Sequence, residues 1–257
     1  MCSSTGSERL SAASPQGAEV AARSGFGESA QNQVDEAPRK RLPVRPSLVS
    51  PPMASIFLGM NPIYSFLSLK GGVGKTTSAF HFATVIARRG FPVVLLDADP
   101  QESGVAWARL AAQTSPLPFE VRTTPRDGLA QDARAQAKTH VVVIDTPPNA
   151  EDLFQQAALV SDLSIMPVSP TVIDLERLGK SIRHLQNLEA IRPDLNSRIL
   201  LIRHSAREQL SREAREGLQH YPVLNATIRD LKAYRAAFGS VPSSLAEFEA
   251  VYREVTE

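Results

Sequence analysis

A chain of 257 residues with 42% hydrophobic content can bury one good core and still carry a tail. Its formal net charge of +1 gives no global pull toward nucleic acid or membrane, so any polyanion site has to come from local clustering. The single cysteine, Cys2, excludes an internal disulfide framework and a thiolate cluster for zinc or iron–sulfur.

Residues 1 to about 59 are rich in Ser, Ala, Gly, Gln and Pro and show no helical or strand period that could bury a face, so they are expected to be disordered. Arg39-Lys40-Arg41 with Arg45 forms a basic cluster there, readable either as a DNA-binding arm or as a solvated charge run. The first thirty residues lack the apolar middle of a secretory signal, and no apolar run approaches the ~20 residues of a membrane span. A cytoplasmic location is expected.

Residues 63–69 read as a buried parallel strand and 76–89 as a helix closed by Gly90. Between them lies a phosphate-binding layout. Gly71, Gly72 and Gly74, around Val73, take backbone angles closed to other residues and let consecutive N–H groups converge on an anion. Lys75 adds charge, Thr76 a hydroxyl for Mg²⁺, and Thr76 and Thr77 open the helix whose positive end faces the same phosphates. A glycine-rich turn alone marks only a tight loop; Gly-Lys-Thr-Thr after a strand and before a helix is far more specific. The first glycine of the usual pattern would fall at Leu69 and is missing. Instead, Lys70-Gly-Gly-Val-Gly-Lys-Thr-Thr77 resembles the deviant Walker A motif of the ParA/MinD family. By that resemblance Lys70 reaches across a dimer interface to the partner's nucleotide, and the lack of a cysteine cluster sets aside the nitrogenase-iron-protein branch. Met60 resembles the start of a compact family member, so the chain divides into a 1–59 extension, real or arising from start-site choice, and a 60–257 ATPase domain.

The next strand, 92–96, runs into Asp97-Ala-Asp99-Pro-Gln101, placing two carboxylates at the carboxyl edge of a parallel sheet. Two aspartates before a proline are also ordinary turn formers. The stretch is similar to the D-x-D-P-Q of ParA-type proteins, which implies a magnesium and water-shell role for Asp97 and a water-orienting role for Asp99. The family often has glycine after the glutamine; here it is Glu102. Trp107 resembles a tryptophan of small ParA proteins and is expected to be structural, and His81 is expected to pack without binding metal. A short strand is expected at 119–122.

Residues 141–144 form a central strand delivering Asp145 toward the loop's metal, as in a Walker B element, and Thr146-Pro-Pro148 resembles the family's γ-phosphate-sensing switch. Residues 163–167 give a further strand, and 172–190 a long helix whose start, with Asp174, resembles a stretch of the family's dimer interface. The strand 198–203 ends at Arg203 and His204, by family position beside the adenine, where Asn or Thr before a basic residue is more usual. Seven basic residues face four acidic ones over 203–235. Part of this is surface ion pairing. The stretch 228–234 also resembles the one that carries basic residues onto the DNA-facing surface of ParA dimers, with Leu231 in place of an arginine. Arg203, Arg207, Arg229, Lys232 and Arg235 are the DNA candidates. The acidic last helix, 243–255, argues against a membrane-targeting helix.

A doubly wound, mostly parallel three-layer α/β/α fold is therefore expected. The resemblance implies an ATP- and Mg²⁺-dependent homodimer that binds DNA non-specifically on the nucleoid and partitions plasmid or chromosomal DNA with a separately encoded ParB-type protein. Two alternatives stand. One is a positioning ATPase for a protein cargo. The other is a dethiobiotin-synthetase-like enzyme, against which Lys70 and the Asp97-x-Asp99 pattern count.

Overall fold

The computed structural model describes residues 59–205, 208–230 and 232–257, with Lys232 and Arg235 described by backbone alone. Residues 1–58, including the basic cluster at 39–45, lie outside the described residues, as do Arg207 and Leu231.

Six strands form one sheet: β1 (Ile63–Phe66), β2 (Val93–Asp97), β3 (Glu120–Thr123), β4 (Val141–Asp145), β5 (Leu163–Val168) and β6 (Ser197–Leu201). Their order is β3-β2-β4-β1-β5-β6, and every pairing is parallel. The eight described helices are α1 (Lys75–Arg88), α2 (Ser103–Ala111), α3 (Leu129–Gln136), α4 (Glu151–Val160), α5 (Val172–Glu189), α6 (Gln209–Gly217), α7 (Lys232–Ala236) and α8 (Ala246–Thr256). None is long and apolar enough to cross a membrane.

The strands β1, β2 and β4 are apolar on both faces because helices cover both. Tyr64, Phe66, Leu95 and Val143 pack under α1, α2 and α8, whereas Ile63, Val94, Leu96 and Ile144 pack under α3, α4 and α5. The neighbours β1 and β4 thus send their connecting helices to opposite faces, and their carboxyl-terminal loops part to leave a crevice. Register puts Asp145 level with Phe66 on one side and with Asp97 on the other, so both carboxylates end their strands at the crevice.

Two expected strands are shorter than their apolar runs. β1 ends at Phe66, not residue 69, and β6 at Leu201, not 203. In each case the chain turns early into a site loop, and Arg203 has φ 53°. The last helix begins at Ala246, after Leu245, not at residue 243.

Helix α1 is buried from Ser78 through Ile86, because the sheet covers one side and α8 the other. His81 lies inside that sandwich, its Nδ1 donating to the Thr77 carbonyl at 2.7 Å and its ring 5.0 Å from those of Tyr234 and Phe248. Its Nε2 is buried with no hydrogen-bond partner among the described residues. Burial holds the imidazole down at about 4, against the opposing Thr77 hydrogen bond. The unfolded chain therefore takes up this proton first, and stability falls as pH drops from about 6.5 to about 4, by roughly 2–3 kcal/mol from this group. Urea titrations across that range should show the loss in the wild type and its near absence in His81→Phe. Equal acid sensitivity in both would assign the loss elsewhere.

Candidate functional site

The loop after β1 takes left-handed angles at Gly72 (φ 73°) and Gly74 (φ 80°), and a Cβ on Gly74 would approach Ile202 Cδ1 to 3.1 Å. Only glycine meets both demands at Gly74. The loop wraps a cavity of about 340 Å³ bordered by Lys75, Thr76, Asp99, Ser103, Thr146 and Arg203. Lys75 is buried, and its Nζ donates to the Lys70 carbonyl at 2.9 Å, so the loop's own backbone holds the charge in place. Burial holds that ammonium below its ordinary range, with Asp145 and Asp99 opposing the shift. Thr146 Oγ1 donates to the Phe66 carbonyl at 2.8 Å, tying the loop after β4 to the end of β1.

The three aspartates differ in what holds them. Asp97 accepts from the Asp99 N–H at 3.1 Å through Oδ1 and from Gly104 and Val105 N–H at 2.7 and 3.1 Å through Oδ2. It therefore caps α2, whose own N-cap residue, Glu102, makes no side-chain cap bond. Gly104 is required for this, because a Cβ there would lie 2.8 Å from Asp97 Oδ2. Asp99 borders the cavity, with Oδ1 accepting from the Gln101 N–H at 2.9 Å. Asp145 is fully buried, and neither carboxylate oxygen has a hydrogen-bond partner among the described residues. Burial pushes Asp145 up to about 7, with Thr76 and Lys75 beside it opposing and Asp97 reinforcing the shift.

An orphaned buried carboxylate beside a threonine hydroxyl fits a divalent cation that takes its remaining ligands from water and phosphate. Among the described residues no cluster of three or more His, Cys, Asp or Glu could hold a metal ion. Thr76 and Asp145, two of the residues expected to hold the metal, lie next to each other. Asp97 is level with Asp145, but its oxygens are engaged in the helix cap.

Lys70 points sideways from the loop. Its Nζ donates to Asp174 Oδ1 in the same chain; the two side chains are 24% and 6% exposed. Thr171 caps α5 by accepting from the Asp174 N–H at 3.2 Å, which places the aspartate in the helix's first turn. Beside it Val172 and Ile173 are 74% and 61% exposed. Burial, with Arg177 and Arg203 nearby, holds the Lys70 ammonium below its ordinary range.

Arg203 also contacts the loop, its guanidinium donating to the Gly72 carbonyl at 3.3 Å. It borders the phosphate cavity and also a smaller one of about 60 Å³, sharing both walls with Gly74 and Thr77. A non-glycine residue at φ 53° carries about 1–2 kcal/mol of strain, here at the junction of the two cavities.

Of the other DNA candidates, Arg229 pairs with the Glu247 carboxylate, so its charge is locally balanced. Lys232 and Arg235 belong to α7 by their backbone, and Arg207 lies outside the described residues. Sequence reasoning did not single out Ser103, Gly104 or Glu247. Only Gly104, a glycine just inside a helix that follows an aspartate-ended strand, left a readable mark.

The family described as CobQ/CobB/MinD/ParA nucleotide binding domain matches residues 64–240. The chain is 34% identical over 210 residues to the maintenance of carboxysome distribution protein A of Gloeobacter kilaueensis, covering 76% of this chain and 92% of that one. It is 28% identical over 113 residues to a protein ParA of Rhizobium radiobacter, covering 44% and 51%. Among solved structures, a Cyanothece McdA variant in complex with ATP superposes with a TM-score of 0.63 at 17% identity, over 76% of this chain and 96% of that one.

Proposed function

The chain belongs to the CobQ/CobB/MinD/ParA nucleotide-binding domain family, and on that premise we propose that it is a Mg²⁺-dependent ATPase whose nucleotide-controlled dimer positions a cargo. The observation that carries this reading is the convergence of Lys75, Thr76 and Asp99 on one cavity, with the unpartnered Asp145 carboxylate beside them.

Each group has a task. The loop amides and Lys75 hold the phosphates of ATP, and Thr76 and Asp145 hold Mg²⁺, Asp145 through water. Held there, Mg²⁺ would supply the positive charge that offsets the phosphates during phosphoryl transfer. Asp99 orients the attacking water in line, which needs position more than basicity. The Lys70–Asp174 pair is the separated state of the switch. With two copies face to face, Lys70 leaves Asp174 for the partner's nucleotide, and the apolar Val172 and Ile173 are covered.

Two cargoes have support. A protein body is favoured by the likeness to the carboxysome-distribution protein, which spans nearly that whole relative. Partition of plasmid or chromosomal DNA with a ParB-type partner is favoured by the likeness to ParA. In both, the ATP-bound dimer holds non-specifically to nucleoid DNA. Affinity capture from the native host with a slowly hydrolysed ATP analogue separates the two. A centromere-binding protein supports partition and a component of a protein assembly supports the other cargo, whereas purified protein that binds and hydrolyses no ATP contradicts both.

A further inference from the structure

Helix α8 is acidic, and two of its carboxylates, seven residues apart and so on one face, grip the loop that precedes α7. Glu254 accepts from Asn225 N–H at 2.7 Å, Asn225 Nδ2 at 3.0 Å and Ala226 N–H at 2.8 Å. Glu247 accepts from Arg229 N–H at 2.9 Å, from Arg229 Nε, and from the Tyr234 hydroxyl at 2.8 Å. Its side chain is only 14% exposed, although Arg229 is 64% exposed. Burial and the Glu247 carboxylate both push the Tyr234 phenol upward, so it stays protonated and donates.

The residues that Glu247 holds are cavity walls. Arg229, Asp230 and Tyr234 line the smaller cavity together with Phe248 of α8, and the opposite wall is Gly74, Thr77 and Arg203 of the phosphate site. On the sheet side the loop is pinned at Ile228, which bonds to Leu201 and His204. Glu247 pins the other side. The two cavities share Gly74, Thr77 and Arg203, so a nucleotide with its phosphates in the larger one has the smaller one beside it to receive its nucleoside.

We propose that Glu247 is the positioning residue for the nucleoside half of the nucleotide, acting by fixing Arg229 and Tyr234 in the wall of the cavity beside the phosphate site. The proposal rests on the nucleotide reading above. The acidic α8 then has a role in nucleotide affinity although none of its carboxylates borders the larger cavity.

The test is binding of Mg-ATP and of inorganic tripolyphosphate, separately, to the full chain. In Glu247→Ala, ATP should bind about tenfold more weakly, the loss expected from buried charge-assisted bonds, while tripolyphosphate stays within about twofold. KM for ATP should rise with kcat little changed. Glu247→Gln keeps an acceptor oxygen for the Arg229 N–H and the Tyr234 hydroxyl and should recover most of the affinity; Tyr234→Phe, which keeps the ring and removes only the hydroxyl, should lose ATP affinity alone. Glu254→Ala, at the loop end away from the cavity, should leave both ligands near wild type. Equal losses of both ligands in Glu247→Ala and Tyr234→Phe, or no loss of either, overturn the proposal. A wild-type chain that binds neither ligand overturns the nucleotide reading and the proposal with it, whereas one that binds tripolyphosphate as tightly as ATP overturns the proposal alone.

Discussion

Asp99→Ala is expected to slow ATP hydrolysis by about 10²–10⁴-fold while ATP binding stays near wild type. Asp99 borders the phosphate cavity, and the one described bond of its side chain is local, to the Gln101 amide, so removing the carboxylate takes away little of the fold. An interaction needed only to align the attacking water stabilises the transition state and not the bound ground state. The variant should therefore accumulate as an ATP-loaded species, seen by filter binding with labelled ATP. Asp97→Ala is the informative contrast. Its carboxylate takes three backbone N–H bonds, two of them from the first turn of α2, so its loss should appear first as a lower unfolding midpoint. Normal turnover in Asp99→Ala would reduce that residue to a turn former.

Lys75→Ala is expected to weaken ATP binding by about two to three orders of magnitude, since it removes a buried, pre-oriented charge from the phosphate cavity. Lys70→Ala should bind ATP nearly as the wild type does and fail to dimerise. The structure gives a reason for the difference: Lys75 is anchored inside its own loop, whereas Lys70 is turned outward onto Asp174, beside the exposed Val172 and Ile173. Size-exclusion chromatography with a slowly hydrolysed analogue distinguishes them. A Lys70→Ala dimer of wild-type strength would leave the lysine with only its intrachain role.

The parts of the site legible in the sequence are those where backbone geometry and chemistry demand the same rare residues. Gly72 and Gly74 have to be glycine for their angles, Lys75 and Thr76 follow at fixed spacing, and Asp145 ends a run of four apolar residues. Asp97 marks a limit. A carboxylate aimed at a metal and one that caps the next helix both sit at a strand end, and only coordinates separate them. Helices α3 and α4 leave little signal in the sequence. No side chain caps either, and α3 buries only Leu129 and Ala133. The glycine expected after Gln101 is explained by the left-handed angle there, which Glu102 adopts at φ 52°. Glu247 gave no readable signal, because a glutamate on a surface helix reads as solvated and its partners lie 13 and 18 residues upstream.

The central claim is that ATP converts this chain from monomer to dimer. Sedimentation equilibrium of the wild-type protein with Mg²⁺, comparing a slowly hydrolysed ATP analogue with ADP, tests it most directly. The account predicts a dimer mass with the ATP analogue and a monomer mass of 27.9 kDa with ADP. The same mass with both nucleotides would contradict it.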